Sequence, residues 1–207
     1  MAGPKQSAQK DIKFIGGHRA CAGCAFPIAI KQVLSSTEDP VIVSNATGCM
    51  EVTSTIFPYS AWKTPWLHIA FENSAAAIAG VEGAYQSLKR QNKINRKIKF
   101  VAFGGDGGTY DIGLQALSGA MERRHDMLYV CYNNDAYMNT GIQRSSATPL
   151  GSHTTTSPAG KVVKGKQQQQ KNLTEILAAH EIPYVAQTTV AFWQDATKKF
   201  EKALSIE

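Results

Sequence analysis

The sequence predicts an α/β fold, a mostly parallel sheet flanked by helices. Three observations carry that reading. Short apolar runs alternate with longer segments of helical periodicity, and the strongest run passes straight into Gly104-Gly105-Asp106-Gly107-Gly108. A helical pattern and a second buried run then follow. Such alternation marks parallel strands joined by helical crossovers.

Taken in order, residues 25–34 read as a helix and 41–47 (VIVSNAT) as a buried strand ending at a turn. Residues 66–71 form a second extended run. Residues 74–89 are rich in Ala at helical spacing, a pattern that packs closely on a sheet. The run 98–103 (IKFVAF) is the clearest strand, 112–123 a helix, and 127–132 (MLYVCY) another buried strand. Together these last three make one βαβ unit. From 148 to 171 the pattern dissolves into Thr, Ser, Gly, Pro and a Gln run, which predicts an exposed loop long enough to carry function. Residues 173–179 resume as a helix, 184–186 as a short strand, and 192–204 as an amphipathic helix. Residues 1–16 read as an N-terminal extension and 17–207 as a single domain.

Composition narrows the function classes. Of the 207 residues 43% are hydrophobic and 18% charged, enough for an ordinary core and too few charges for a disordered tail. No apolar run approaches the ~20 residues of a membrane span, and the N-terminus lacks a signal-like apolar stretch. The expectation is a soluble, cytoplasmic protein with no membrane partner. The net charge of +6 is spread along the chain without a groove-reading helix or an aromatic-interleaved basic stripe, so no nucleic acid partner is expected.

A strand, a glycine-rich turn and a helix together cradle phosphate, because glycines admit close approach and a helix start offers free amides. The turn here is neither GxGxxG nor a P-loop. Its distinguishing residue is Asp106. A carboxylate beside a diphosphate repels it unless a divalent cation lies between them, and Mg²⁺ takes carboxylate, phosphate and water oxygens. A second metal-facing group is then expected one βα crossover later, where Asn133-Asn134-Asp135 follows the next strand. The Asn134 amide oxygen and a nearby main-chain carbonyl complete the predicted shell. The plainer alternative is a helix-start turn and an ordinary loop.

Four cysteines are too few for a disulfide scaffold. Cys21 and Cys24 form a CxxC pair, and Cys49 follows in NATGC. Three thiolates suit Zn²⁺ or an iron–sulfur cluster, and CxxC alone also suits a redox pair. Cys131 lies mid-strand and reads as core packing. His18, beside the pair, reads as a supporting or surface histidine.

The GDG…NN spacing is the thiamine-diphosphate signature. The longer string GGDGGTYDIGLQALSGAMERRHDMLYVCYNNDAYMNTGIQRSSATP resembles the thiamine-binding β subunit of 2-oxoacid:ferredoxin oxidoreductases, in particular the pyruvate:ferredoxin enzymes. The resemblance runs from about Gly17 to the last residue. It implies a thiamine-diphosphate-binding fold of the diphosphate-module type. Asp106 then matches the Mg²⁺-binding Asp, Asn134 the second side-chain ligand, and Ala136 a carbonyl ligand. Asn139 of the NTG motif matches an Asn close to the thiazolium and substrate. Gly105, Gly107, Gly108, Asn133, Thr47 and Gly48 stand with them as cofactor-binding positions. GHRACAGC and NATGC match three of the four ligands of a [4Fe–4S] cluster, Cys21, Cys24 and Cys49. The fourth falls in a part of the family domain beyond Glu207, so a C-terminally truncated sequence is expected.

The implied activity is oxidative decarboxylation of pyruvate, or a related 2-oxoacid, with coenzyme A, electrons passing through the cluster to ferredoxin. The implied partners are α, γ and δ-type subunits, because the glutamate that activates the aminopyrimidine usually lies elsewhere in such enzymes. Two rivals stand beside this. One is a zinc-stabilised binding module without catalysis, using Cys21, Cys24, Cys49 and His18. The other is a thiamine-dependent decarboxylase or synthase without electron transfer, which leaves the three cysteines without a role.

Overall fold

The computed structural model describes residues 11–206. The first ten residues of the predicted N-terminal extension therefore lie outside the described residues. Four parallel strands form one sheet: β1 (Val41–Ala46), β2 (Trp66–Ile69), β3 (Lys99–Gly105) and β4 (Leu128–Tyr132), in the order β2-β1-β3-β4. Parallel pairing joins Ala46 to Ile69, Asn45 to Phe103, and Gly105 to Tyr132.

Helices cover both faces, as a parallel sheet requires. Successive residues of β3 point to opposite faces. Val101 and Phe103 join Val41 and Val43 beneath α1 (Phe26–Ser35) and α6 (Trp193–Ser205), with Phe14 and Trp62 filling the same layer. Phe100 and Ala102 face Ile78 and Tyr85 of α3 (Ser74–Arg90). Small residues bring α3 close to α4 (Leu114–Glu122): Ala75 and Ala79 meet Leu117 and Ala120, all of them buried.

Several elements differ from the sequence expectation. A six-residue helix, α2 (Cys49–Ser54), follows β1; it is too short to show a helical repeat. The predicted helix at 112–123 is split into a π-helical turn over Gly107–Ile112 and α4, so the glycine turn is already helical. The expected strand at 184–186 pairs with no strand among the described residues. Residues 173–178 form α5 (Leu173–Ala178), capped by the Asn172 side chain, which accepts from the Glu175 amide. The 148–171 segment is mostly exposed but anchored by a buried lysine. Lys166 donates to the carbonyls of Ser146 and Thr148.

No helix among the described residues is long and apolar enough to cross a membrane.

Candidate functional site

The strand order locates the site. From β1 the chain crosses to β2 on one side; it then returns past β1 to β3 and continues outward to β4. The order reverses between β1 and β3. Outside the carboxyl ends of the strands at such a reversal lies the crevice where α/β proteins bind ligands. A cavity of about 200 Å³ opens there, lined by Thr47 and Gly48 after β1, by Gly105 to Gly108 after β3, and by residues 134 and 136–140 after β4. Pockets enclosing a whole ligand usually span roughly 300–1,000 Å³. This one is smaller than that range.

Asp106 is only 1% exposed at the floor of the cavity. Burial pushes its carboxyl up to about 6, against hydrogen bonds that favour the anion. Its Oδ2 accepts from the Ser145 hydroxyl, itself fully buried. Its Oδ1 faces Asn134. One terminal atom of the Asn134 amide lies 2.9 Å from Asp106 Oδ1 and 3.0 Å from the Ala136 carbonyl oxygen. With nitrogen at that position the amide donates to both acceptors. With oxygen there, three oxygens converge. Octahedral Mg²⁺–oxygen bonds of 2.0–2.1 Å place adjacent ligand oxygens about 2.9 Å apart. The two separations match edges of that octahedron, and the donor set of carboxylate, amide and carbonyl suits a hard dication. The residues fit the metal.

The glycine turn is shaped by contact. A Cβ at Gly107 would overlap the Tyr137 ring, and one at Gly113 would overlap the Gly108 carbonyl oxygen. The Tyr137 hydroxyl donates to Asp111 Oδ2 at 2.9 Å, and the Ser146 amide donates to the same oxygen at 3.0 Å. The Ser146 hydroxyl donates to Asp111 Oδ1, and Lys171 stands 3.6 Å away. Burial pushes Asp111 up, but these donors and the lysine outweigh it and hold its carboxyl below the usual range. Asp111 thus ties the turn to the segment carrying Asn134 through Ser146. A π-helical turn is rare and often found at functional sites, and here Gly107 and Gly108 of that turn line the cavity.

On the β1 side, the Thr47 hydroxyl and His68 Nε2 are 2.7 Å apart. His68 Nδ1 stands 3.6 Å from Glu51. Tyr132 lines the same cavity; its hydroxyl is buried and, among the described residues, finds no hydrogen-bond acceptor.

Cys49 borders the cavity as well, at the start of α2. Its thiol is pushed up by burial first, then by the charges of Cys21 and Cys24, and by Asp106. Cys21, Cys24 and Asp106 therefore sit within electrostatic reach of Cys49. The CAGC turn is closed by the Cys24 amide donating to the Cys21 carbonyl at 3.0 Å. Cys21, Cys24 and His18 line a second opening, and His18 stacks on Phe14 with its buried Nδ1 unpartnered. Among the described residues no three of His, Cys, Asp and Glu are gathered around one point as a single zinc ion requires. A [4Fe–4S] centre asks less convergence, since each thiolate binds its own iron. Cys131 faces Tyr110, Ala147 and Leu173, and burial pushes its thiol up to about 12, the behaviour of a packed apolar residue.

The structure thus brings Thr47, Gly48, Cys49, Gly105, Asp106, Gly107, Gly108, Asn134, Ala136 and Asn139 to one cavity. Asn133 stands apart from its lining, with its side chain capping the Asp135 amide at 2.9 Å. The residues that sequence reading passed over are Ser145, Asp111, Tyr132 and Tyr137. The hydroxyl-rich QRSSAT segment, so close behind the Asn pair, was the available signal for Ser145.

A family model described as "Thiamine pyrophosphate enzyme, C-terminal TPP binding domain" matches residues 46–207. The chain is 53% identical over 196 residues to the pyruvate synthase subunit PorB of Methanocaldococcus jannaschii, covering 94% of this chain and 66% of that protein. It is 52% identical over 213 residues to the PorB subunit of Thermotoga maritima, covering 98% and 65%. The chain therefore spans about two thirds of the length of these curated relatives. The solved 2-oxoglutarate:ferredoxin oxidoreductase of Magnetococcus marinus shares the fold, with a TM-score of 0.77 over 96% of this chain and 64% of that one, at 20% identity.

Proposed function

The chain belongs to the thiamine pyrophosphate enzyme family, and from that premise we propose that it is the thiamine-diphosphate-binding β subunit of a pyruvate:ferredoxin oxidoreductase. The proposed reaction takes pyruvate or a related 2-oxoacid with coenzyme A to acyl-CoA and CO₂. Two electrons leave singly through an iron–sulfur cluster to ferredoxin. The observation that carries the reading is the meeting of Asp106, Asn134 and the Ala136 carbonyl at the strand-order reversal, with Cys49 on the same cavity wall.

Asp106, Asn134 and Ala136 hold Mg²⁺ in this reading. Bound thiamine diphosphate supplies the carbanion chemistry by which a 2-oxoacid loses CO₂. The chain's residues do the rest. Gly107 and Gly108 let backbone approach the diphosphate, and Ser145 and Asp111 fix the two segments that carry the metal ligands. The apolar side chains of Phe71 and Met138 keep water from the reacting carbon. Asn139, at the mouth of the cavity, is the group placed to hydrogen-bond substrate. Cys21, Cys24 and Cys49 supply three thiolates to a [4Fe–4S] cluster beside the cavity. Because the cavity is smaller than pockets that enclose a whole ligand, partner subunits of α, γ and δ type cover the rest of the cofactor and supply the aminopyrimidine-activating group. The protein works in the cytoplasm.

Anaerobic isolation of the protein with its partners tests this. The expected outcome is a brown complex containing thiamine diphosphate that reduces ferredoxin or a viologen when given pyruvate and coenzyme A. A complex without thiamine diphosphate, or turnover by this chain alone, contradicts it.

A further inference from the structure

Tyr132 ends β4 in register with Gly105, and its ring reaches across the tip of β3 toward β1. Two glycines make room for it. A Cβ at Gly105 would stand 3.2 Å from the ring, and one at Gly48 only 2.9 Å from the hydroxyl oxygen. The side chain is 7% exposed, and Phe26 packs on the ring with centroids 4.5 Å apart. For all this packing a phenylalanine would serve as well. The hydroxyl is the part that needs explaining.

That hydroxyl is buried and, among the described residues, its proton finds no acceptor. The Met50 amide faces its oxygen, but an amide is a donor and leaves the phenol proton without an acceptor. A buried donor left unsatisfied is a standing cost in the ligand-free protein. Tyr132 lines the cavity already described, and its hydroxyl oxygen lies 2.9 Å from where a Gly48 Cβ would stand and 3.5 Å from where a Gly105 Cβ would, both glycines lining the same cavity. The acceptor must therefore come with the ligand. Over the reversal point, beside the glycine turn and Asp106, the anionic oxygens of a metal-bound diphosphate are the strongest acceptors the site is built to receive.

We propose that the Tyr132 hydroxyl is a diphosphate-binding donor: it donates a hydrogen bond to an anionic oxygen of the ligand. This rests on the thiamine-diphosphate reading and adds a binding residue to it. Tyr132 contributes no proton to the chemistry. It fixes the diphosphate between two strand tips.

The test is Tyr132→Phe in the intact protein, isolated with the subunits it carries. Affinities for Mg²⁺–thiamine diphosphate and Mg²⁺–pyrophosphate are measured by titration calorimetry, and the ligand-free thermal midpoint is recorded. The expected result is at least about tenfold weaker binding of both probes, the usual scale for losing a hydrogen bond to a charged group. The ligand-free midpoint should stay unchanged or rise. Unaltered binding of both probes overturns the proposal. So does weakening confined to thiamine diphosphate, which puts the acceptor outside the diphosphate, for instance on the thiamine rings. A fall in the ligand-free midpoint overturns it too, because the hydroxyl then has a structural partner. If wild-type protein binds neither probe, the thiamine-diphosphate reading itself fails, and this inference with it.

Discussion

The amide of Asn134 lies 2.9 Å from the Asp106 carboxylate, although an entire helix and strand separate the two in the chain. They meet because β3 and β4 are parallel neighbours whose carboxyl ends stop together, Gly105 opposite Tyr132. Each residue then needs only one or two steps beyond its strand to reach the other.

Asp106→Asn keeps the size and an acceptor for Ser145 but removes the charge that a dication needs. Mg²⁺-dependent binding of thiamine diphosphate is expected to fall by about 10- to 100-fold, in line with losing one charge-assisted interaction. The ligand-free protein should be no less stable at pH 7, since a carboxylate held at 1% exposure no longer has to be ionised there. Calorimetry and thermal melts read the two effects separately.

Ser145→Ala strips the buried carboxylate of its hydroxyl donor and the Ala147 amide of its 3.1 Å acceptor. Leaving such groups unsatisfied costs about 1–3 kcal/mol. Urea unfolding of the ligand-free protein should show a loss of that size, and metal affinity should drop with it.

Asp111 offers a pH signature. Its folded carboxyl lies below its unfolded value, so its stabilisation is complete above about pH 4 and is lost as acid carries the pH down through the folded value. Asp111→Asn should lower stability at pH 7 by about 1–3 kcal/mol through Tyr137 and Ser146. The stability gap between wild type and variant should then narrow as the pH falls below about 4. A gap that stays constant over that fall contradicts the assignment.

Two glycines of similar sequence prominence should behave oppositely. Gly107→Ala drives a methyl into the Tyr137 ring and should cost about 1–3 kcal/mol and disturb the cavity. Gly80, inside α3, has nothing within 4 Å of the place a methyl group would take, so Gly80→Ala should stabilise by about 0.5–1 kcal/mol. Chemical denaturation of both variants reads the contrast.

The cysteines divide in the same way. Serine at Cys21, Cys24 or Cys49 should remove most of the iron and acid-labile sulfide from anaerobically isolated complex. Cys131→Ala should leave both intact, because that thiol packs on Leu173 and Tyr110 instead of facing the other three.

Much of the site is legible in the chain because its chemistry is local to strand ends. Asp106 in a glycine turn and Asn134 after the next buried run announce themselves by residue type and spacing. The periodicity of 98–103 and 127–132 then implies that the two strands are neighbours. What stays hidden is what depends on tertiary reach. Ser145 arrives from a loop 39 positions beyond Asp106, with no periodic signal to place it. Tyr132 looks like one more apolar residue of β4 until its hydroxyl proves to have no acceptor among the described residues. The π-helical turn is written in no repeat, and α2 has too few residues to display one. At 184–186 three apolar-looking positions imitate a strand, but no strand among the described residues pairs with them.

The central claim is a dication held at the convergence of Asp106, Asn134 and Ala136. Soaking crystals with Mn²⁺ and thiamine diphosphate and locating the manganese by anomalous scattering tests it most directly. The expected result is one strong peak in coordination contact with Asp106 Oδ1, the Ala136 carbonyl and the Asn134 amide, with the amide oxygen turned inward. A bound diphosphate with manganese elsewhere, or an Asn134 amide whose nitrogen still faces Asp106, would contradict it.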